Sequence, residues 1–330
     1  MTEKQDNARR KPGIKHIAEK TGFSPATVSL VLNNKGSFSE ETKQTIRQAY
    51  AEINHDRAMA EGRPFVRLLM EESAAWSDPY NGDIIRAIEL EARALGFEVA
   101  LTFVRPDASP ADWVDDVSGI VLLGGGEITD AMIEELKSYE TPLVLVDNYT
   151  RRGDVLSVHP DHFGAGYAAT EYLLGRGHTK IGFLSGPVKY KPLVDRYAGY
   201  CAAMMAAGLP PRPDYVSPNF DRKHIKGYLE MKYVMELEDR PTAVFAVSDR
   251  SAYGALHYMR DVGLTPGKDV ELIGCDNIRG EQEVASRIAT VDVPRAEVGA
   301  MAVRFLAEAM KGNTLRGRVV LPGTLILPAL

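Results

Sequence analysis

The chain has 330 residues, enough for about two domains of ordinary size, and its hydrophobic fraction of 45% is that of a globular protein with sizeable cores. No apolar run approaches the ~18 residues of a membrane span, and the N-terminal arm lacks the apolar segment of a secretory signal, so we expect neither a membrane protein nor a secreted one. The two cysteines, Cys201 and Cys275, lie far apart without C-x-x-C spacing, which argues against a disulfide framework and fits a reducing cytoplasm.

The net charge of −6 is unevenly distributed along the chain. Residues 1–65 hold eleven Lys or Arg and eight Asp or Glu, a net charge of +3, whereas the remainder carries −9. Between Arg9 and Lys35 there are six basic residues and one acid, Glu19. Positive charge concentrated in this way is typical of a surface that contacts nucleic-acid phosphates.

After a basic arm over residues 1–13, the stretch IKHIAEKTGFSPATVSLVLN predicts two short helices separated by a tight turn at Gly22. Ser24 is placed to cap the second helix, and Pro25 occupies its first position, where a missing N–H costs nothing. A second helix of this length fits a DNA major groove, so the stretch indicates a helix-turn-helix. The alternative is an ordinary helical hairpin at a domain edge.

A third helix is predicted from Glu40 to about Ile53, capped by Ser39. Ile46, Ala49, Tyr50 and Ile53 are spaced to pack it across the first two helices.

From Phe65 onwards the pattern changes to apolar runs that alternate with amphipathic segments. We predict strands at 66–70, 98–103, 119–123, 143–146, 180–184, 243–247 and 270–274. Helices are predicted at about 82–95, 129–138, 163–176, 194–207, 222–236, 250–262 and 295–311. Strands joined by crossover helices form parallel sheets that are covered on both faces, and two such sheets imply two lobes.

The pattern I-x-x-I-A-x-x-x-G-x-S-x-x-T-V-S-x-x-L-N, read from Ile14, resembles the DNA-binding headpiece of the LacI/GalR family of bacterial transcription regulators, and the resemblance runs to about Pro328. It implies a small all-α helix-turn-helix domain followed by a two-lobed α/β domain of the type I periplasmic-binding-protein kind. The expected domains are 1–54 for DNA binding, 55–65 as a shortened hinge, and 66–330 for effector binding and dimerisation. The effector is expected between the two lobes.

The hinge departs from the family pattern. Relatives carry Tyr-x-Pro-Asn followed by a Leu that is wedged into the minor groove, and this chain has neither. Met59 is the candidate substitute for the wedge. The alternative is a plain linker.

The resemblance places the base-reading positions on Pro25, Ala26 and Leu30, all apolar and therefore suited to thymine methyl groups rather than to bidentate hydrogen bonds. For Leu30 the alternative is a partly buried helix residue. The remaining DNA-contact candidates are polar: Lys11, Ser24, Thr27, Ser29, Asn33 and Lys35.

The resemblance also points to an effector site rich in groups that bind a polyol. Carboxylates accept hydrogen bonds from paired hydroxyls, a guanidinium donates a planar fork, and aromatic faces cover C–H patches. The predicted effector-binding residues are Trp76, Tyr80, Asp161, Arg196, Phe220, Ser248 and Asp276. The alternative makes Asp161 and Asp276 turn or capping residues and Arg196 a structural ion-pair partner. Asp249 is expected to be structural.

No residue pattern supports catalysis, a metal or another cofactor. The Gly124–Gly126 turn lacks both G-x-G-x-x-G and G-K-[ST], so a tight strand-to-helix turn is the better interpretation. The histidines are dispersed without metal-ligand spacing.

We therefore expect a cytoplasmic homodimeric transcriptional regulator, not an enzyme and without membrane attachment, that represses by binding double-stranded operator DNA under the control of a sugar-like effector. Ile84, Ile85, Ile88 and Leu95 on helix 82–95 are the candidate dimer face, and burial within their own lobe is the competing explanation. The alternative function is a cytoplasmic sugar sensor whose helical head contacts protein rather than DNA.

Overall fold

The computed structural model describes residues 14–32, 35–60, 64–71, 79–105, 109–114, 117–126, 128–186, 190–220, 226–278 and 288–328. These residues form two compact units. The first lies within residues 1–75, 84–158 and 296–319, and the second within 76–83, 159–295 and 320–330.

The first unit begins with three helices: α1 (Ile14–Thr21), α2 (Pro25–Leu32) and α3 (Glu40–Ala60). The turn at Gly22 has a φ of +75°, which glycine adopts without steric cost. Both predicted caps are confirmed, since Ser24 Oγ accepts from the Thr27 N–H and Ser39 Oγ accepts from the Thr42 N–H, each at 3.1 Å. The buried residues of this headpiece are Ile17, Ala18, Val28, Val31, Ile46, Ala49 and Tyr50.

Helix α3 is longer than the sequence pattern predicted. It continues to Ala60 instead of ending near Ile53, so residues 55–60 of the predicted hinge, Met59 included, are helical. The physical reason is that no Gly or Pro occurs between Glu40 and Ala60, so nothing in the chain stops the helix.

The rest of the first unit is built on a six-stranded sheet with the order β10-β5-β4-β3-β1-β2. Its strands are β1 (Phe65–Glu71), β2 (Glu98–Val104), β3 (Gly119–Leu123), β4 (Leu143–Val146), β5 (Leu156–Pro160) and β10 (Arg318–Leu321). Strand β1 pairs in parallel with β2 and β3, with Val66 opposite Val99 and Gly119. Helices α4 (Pro79–Ala94), α5 (Asp130–Lys137) and α10 (Arg295–Met310) connect or follow these strands.

The second unit contains a five-stranded sheet with the order β11-β9-β8-β7-β6. Its strands are β6 (Ile181–Leu184), β7 (Ala243–Ala246), β8 (Glu271–Cys275), β9 (Ala289–Asp292) and β11 (Thr324–Ile326), of which only β11 is antiparallel to its neighbour. Its helices are α6 (His162–Gly175), α7 (Lys191–Ala206), α8 (Lys226–Met235) and α9 (Asp249–Asp261). The prediction of two parallel α/β sheets is confirmed.

The candidate dimer face on α4 needs correction. Ile84 and Ile88 are fully buried, and α4 packs so closely on α10 that a Cβ at Gly299 would lie 2.6 Å from the Ile84 carbonyl oxygen. These two side chains therefore belong to the core of their own unit. Leu90 and Leu95 are instead the exposed apolar residues of this segment.

Helices α6 and α7 approach each other closely at two glycines. A Cβ at Gly166 would lie 2.1 Å from the Arg196 carbonyl oxygen, and a Cβ at Gly199 would lie 2.1 Å from the Phe163 carbonyl oxygen. Both obstacles are backbone atoms, so a methyl group at either position forces the helices apart.

We expect Gly199→Ala to destabilise the second unit by about 1–3 kcal/mol, since overpacking against backbone has no flexible side chain to absorb it. Gly175→Ala, at the end of α6, is the matched control because a Cβ there meets nothing within 4 Å. It should be neutral or stabilising through helix propensity. Urea unfolding followed by circular dichroism compares the two, and equal midpoints would contradict the helix-packing argument.

Candidate nucleic-acid interface and ligand-binding cluster

Helix α2 presents an apolar outer face. Val28 and Val31 are buried against the other helices, whereas Pro25 and Ala26 are exposed and Leu30 has 41% of its surface accessible. The predicted base-reading positions therefore lie on the outside of the headpiece. Thymine methyl groups are the base features that such a face can contact in a major groove.

Polar side chains flank this face. The Ser24 and Thr27 hydroxyls are hydrogen-bonded to each other at 2.9 Å, Ser29 is partly exposed, and Lys35 is exposed. Hydroxyl and ammonium groups of this kind are ordinary phosphate partners. Lys11 and Asn33 lie outside the described residues.

The second unit holds a buried cluster around Arg196 on α7. The side chain is fully enclosed, with 2% of its surface accessible, and its guanidinium contacts three other elements. Nη2 donates to Asp276 Oδ1 at 2.6 Å, Nη1 donates to the Val247 carbonyl oxygen at 2.7 Å, and Nε donates to His162 Nδ1 at 3.2 Å. The cluster thus joins α7 to the start of α6 and to the carboxyl ends of β7 and β8.

The charges in this cluster depend on one another. Burial acts to lower the pKa of Arg196, but the Asp276 carboxylate, together with Cys275 and Tyr80, holds this pKa above its ordinary value. Burial raises the pKa of Asp276, and Arg196 acts in the opposite direction. Removing either partner would leave a buried charge uncompensated.

The backbone at the carboxyl end of β8 is strained. Asp276 has a φ of +114° and Asn277 a φ of +50°, in the region that favours glycine. Arg295 donates to the Asp276 carbonyl oxygen, and Thr290 Oγ1 accepts from the Asn277 N–H at 3.3 Å. Strain of this kind is kept where surrounding contacts impose it, and it is frequent at ligand-binding positions.

Asp249 stabilises the same loop. Its Oδ2 accepts from the Ile278 N–H and its Oδ1 from Thr290 Oγ1, both at 2.8 Å, while the neighbouring Ser248 caps α9 by accepting from the Ser251 N–H. These contacts agree with the expectation that Asp249 is structural.

The structure shows other predicted ligand-site residues in contact with groups other than the Arg196 guanidinium. Asp161 caps α6 by accepting from the Gly164 N–H at 2.7 Å, as the alternative interpretation anticipated. The Arg295 guanidinium lies over the Tyr80 ring, 5.8 Å from its centroid. Phe220 is half-buried, in a loop that Lys226 anchors by donating to Asn219 Oδ1 at 2.6 Å. Trp76 lies outside the described residues.

The structure therefore brings Arg196 and Asp276 into direct contact and adds His162, which sequence analysis missed. His162 directly follows the predicted Asp161, but no pattern indicates that its ring meets Arg196, which is 34 positions away.

Polar side chains at the carboxyl edge of the first unit's sheet were also missed. Glu71, Asp147 and Asn148 are buried at the ends of β1 and β4. Each directly ends or follows an apolar run, which is the signal that could have found them. Asn148 Nδ2 donates to the Gly124 carbonyl oxygen, and a Cβ at Gly125 would lie 2.9 Å from the Asn148 amide. The glycine turn is thus explained by tight packing, as the sequence indicated.

In the part of the chain that the structure describes, no group of three or more His, Cys, Asp or Glu is arranged to hold a metal ion. None of the described helices is both long and apolar enough to span a bilayer.

Comparison with known proteins identifies the family. A family model described as bacterial regulatory proteins, lacI family, matches residues 13–57, and one described as a periplasmic binding protein-like domain matches residues 170–327. The HTH-type transcriptional repressor CytR of Escherichia coli (strain K12) is 30% identical over 309 residues, which are 91% of this chain and 90% of CytR.

Solved structures share the fold. A complex of the transcriptional regulator CelR with cellobiose has a TM-score of 0.72 at 24% identity and covers 96% of this chain and 98% of its own. The Lac repressor dimer bound to operator and the anti-inducer ONPF also has a TM-score of 0.72, at 21% identity, and covers 94% and 96% of the two chains. The protein therefore belongs to the LacI family and is a DNA-binding transcriptional repressor with an effector-binding domain.

Proposed function

We propose that this repressor binds a pseudo-palindromic operator as a cytoplasmic homodimer and that a sugar-like effector, held by the Arg196 cluster, sets its operator affinity. The observation that carries the proposal is the Arg196 guanidinium, completely enclosed among His162, Asp276 and the Val247 carbonyl. Such a cluster costs desolvation energy, and ligand recognition accounts for retaining it.

A polyol matches the hydrogen-bonding groups of this cluster. Hydroxyls donate to carboxylates and accept from a guanidinium fork at the same time, so paired hydroxyls can share the contacts that Arg196 and Asp276 now make with each other. The strained backbone at Asp276 holds its carboxylate in place before the ligand arrives. The CelR structure with cellobiose, a sugar, supports this class of effector.

Operator reading is assigned to the outer face of α2. Pro25, Ala26 and Leu30 supply methyl contacts, and Thr27, Ser29 and Lys35 supply phosphate contacts. A palindromic operator presents the same half-site twice, and a two-fold dimer of this headpiece reads both. Leu90 and Leu95 offer apolar surface for that dimer on the first unit, and the Lac repressor neighbour supports the arrangement, being a dimer bound to operator.

Effector and operator are then reciprocally coupled, since an effector that changes operator affinity must have its own affinity changed by operator to the same extent, typically by about 1–3 kcal/mol. No catalytic step is proposed, because the cluster binds and orients without an activated nucleophile.

The test is fluorescence anisotropy with duplexes selected from a palindromic pool, compared with scrambled duplex, across salt and with panels of sugars and ribonucleosides. Ribonucleosides present the same vicinal hydroxyls on a different scaffold. Specific binding that weakens with salt and shifts with one polyol supports the proposal. Sugar binding without any DNA binding would instead favour a sensor whose helical head contacts protein.

Methyl reading predicts a defined loss when thymine is replaced by deoxyuridine in the selected operator. Each replacement at a contacted position should weaken wild-type binding about fourfold, the worth of one buried methyl group. With Leu30→Ala the penalty should shrink at the position that Leu30 contacts. Val262→Ala, at an exposed apolar residue of the second unit, is the control and should keep the full penalty. An undiminished penalty with Leu30→Ala would contradict the assignment.

The planar guanidinium of Arg196 leads to a prediction about effector affinity. Arg196→Lys keeps the charge beside Asp276 but loses the planar guanidinium that would donate to two effector hydroxyls at once. Effector affinity should therefore fall tenfold or more, by about 1 kcal/mol for each hydrogen bond to the effector that is lost. Operator affinity without effector should stay unchanged.

The matched control for that variant is Arg212→Lys in the same unit. Arg212 is exposed, pairs with Asp214 and Asp239, and stacks over Tyr215 at 4.2 Å. Calorimetric titration with the polyol found in the panel compares both variants, and thermal melting verifies their folding. Equal effector affinity in the two would contradict the role of Arg196.

Asp249 predicts a pH dependence. Burial, with the like charge of Asp276, raises its pKa from 3.8 to about 7. The folded state therefore binds more protons than the unfolded state between these values, and the contribution of Asp249 to stability falls as the pH rises from about 4 to about 7. The free energy of unfolding, measured with urea, should be obtained for the wild type and for Asp249→Asn at each pH. The wild-type value minus the Asp249→Asn value should fall as the pH rises, by at most ~1.4 kcal/mol per pH unit. A flat difference across this range would contradict it.

A further inference from the structure

Helix α3 of the headpiece is packed on α5 of the first unit through one buried arginine. Arg47 Nη1 donates to Ser138 Oγ at 2.9 Å, and Nη2 lies 3.5 Å from Glu135 Oε1. Its guanidinium is 5.1 Å from the centroid of the Tyr139 ring. Only 8% of Arg47 is exposed, so a charged headpiece residue is enclosed by a segment about 90 positions further along the chain.

A second aromatic residue completes the contact. Tyr50, one turn after Arg47, is 4% exposed and meets the Tyr139 ring edge-on, with centroids 6.5 Å apart. Tyr139 itself is fully buried. A three-helix headpiece of about 45 residues has a small core, and these contacts extend that core into the sheet-bearing part of the same unit.

We infer that this contact, the Arg47 latch formed by Arg47, Tyr50, Glu135, Ser138 and Tyr139, holds the headpiece in the orientation that binds the operator. Two features of the structure support the direction of this effect. The outer face of α2 stays exposed while the latch is closed. Helix α3 also runs unbroken to Ala60, and only four residues separate its end from the start of β1 at Phe65, a short length of chain for a hinge.

The latch lowers the cost of binding because a headpiece with fixed orientation loses less rotational freedom on a half-site than a tethered one. Arg47 and Tyr139 act on DNA binding by positioning and need not touch the DNA. The inference rests on operator binding as proposed above, and it adds how the reading helix is held.

Variants on α5 test the latch without altering the headpiece. Glu135→Lys repels Arg47, whereas Glu134→Lys places the same charge change one residue earlier, where Glu134 pairs with Lys137 at 3.0 Å and is half exposed. Both changes increase the general attraction to DNA equally. We expect Glu135→Lys to bind the selected operator about tenfold more weakly than Glu134→Lys, the loss of a charge-assisted contact.

The Tyr139 ring gives an independent pair of variants. Tyr139→Leu removes the face under Arg47, whereas Tyr139→Phe keeps the ring and removes a buried hydroxyl that has no hydrogen-bond partner among the described residues. Operator affinity should fall with Leu and be retained with Phe. The slope of log affinity against log salt should stay the same in all four variants, because positioning leaves the number of phosphate contacts unchanged.

Hydrogen exchange of residues 43–50 and 130–139 reports the latch directly, and it should accelerate in Glu135→Lys and Tyr139→Leu only. Accelerated exchange with undiminished operator affinity would overturn the inference, and so would tighter binding on release. Wild-type protein that shows no preference for the selected duplex over scrambled duplex would count against the proposed operator function instead, which keeps the two failures distinct.

Discussion

The burial of the Arg196 charge is the constraint on which the organisation of the second unit depends. A guanidinium without solvent requires an anion and several acceptors around it, and Asp276, the Val247 carbonyl and His162 supply them from the ends of two strands and the start of a helix. Close packing of α6 on α7 at Gly166 and Gly199 is what brings Arg196 near His162. Helix packing and charge compensation are therefore linked in this unit, since the glycines that permit the close approach also position the groups to which the proposed function assigns the effector.

In the first unit, the main structural question is how the small three-helix headpiece is attached to the sheet-bearing part. Sequence analysis treated residues 55–65 as a hinge, but α3 extends into that segment and Arg47 attaches the helix to α5. A flexible hinge would let each headpiece reorient independently. A continuous helix with a buried side contact restricts that freedom, so a change in the sheet-bearing part of the unit reaches the headpiece through α5 and α3. That route needs no side chain inserted into the minor groove.

Local features were predictable from sequence, and tertiary ones were not. Interactions between residues close in sequence determine the caps at Ser24 and Ser39 and the alternation of strands and helices, so the sequence alone predicts them. Strands β5, β9, β10 and β11 were missed because polar or charged residues such as Ser157, Thr290 and Arg318 interrupt their apolar runs. Ile84 and Ile88 show the opposite error: periodicity identifies an apolar stripe but not the surface against which it packs. The resemblance placed Asp276 in the same site as Arg196, but His162, 34 positions from Arg196, was beyond prediction because no pattern indicates that contact.

The apolar outer face of α2 and the fixed orientation of α3 are energetically complementary. Under the proposed function, methyl contacts from Pro25, Ala26 and Leu30 would discriminate bases weakly, at about 1 kcal/mol per methyl group, and phosphate contacts would supply most of the affinity. Phosphate contacts do not distinguish one base from another, but they depend on the separation of the two half-sites. Two headpieces of fixed orientation can bind both half-sites only at one such separation. Rigidity thus converts sequence-independent contacts into selectivity for operator geometry. In this chain, specificity that the side chains of α2 do not provide can come from how α3 is held.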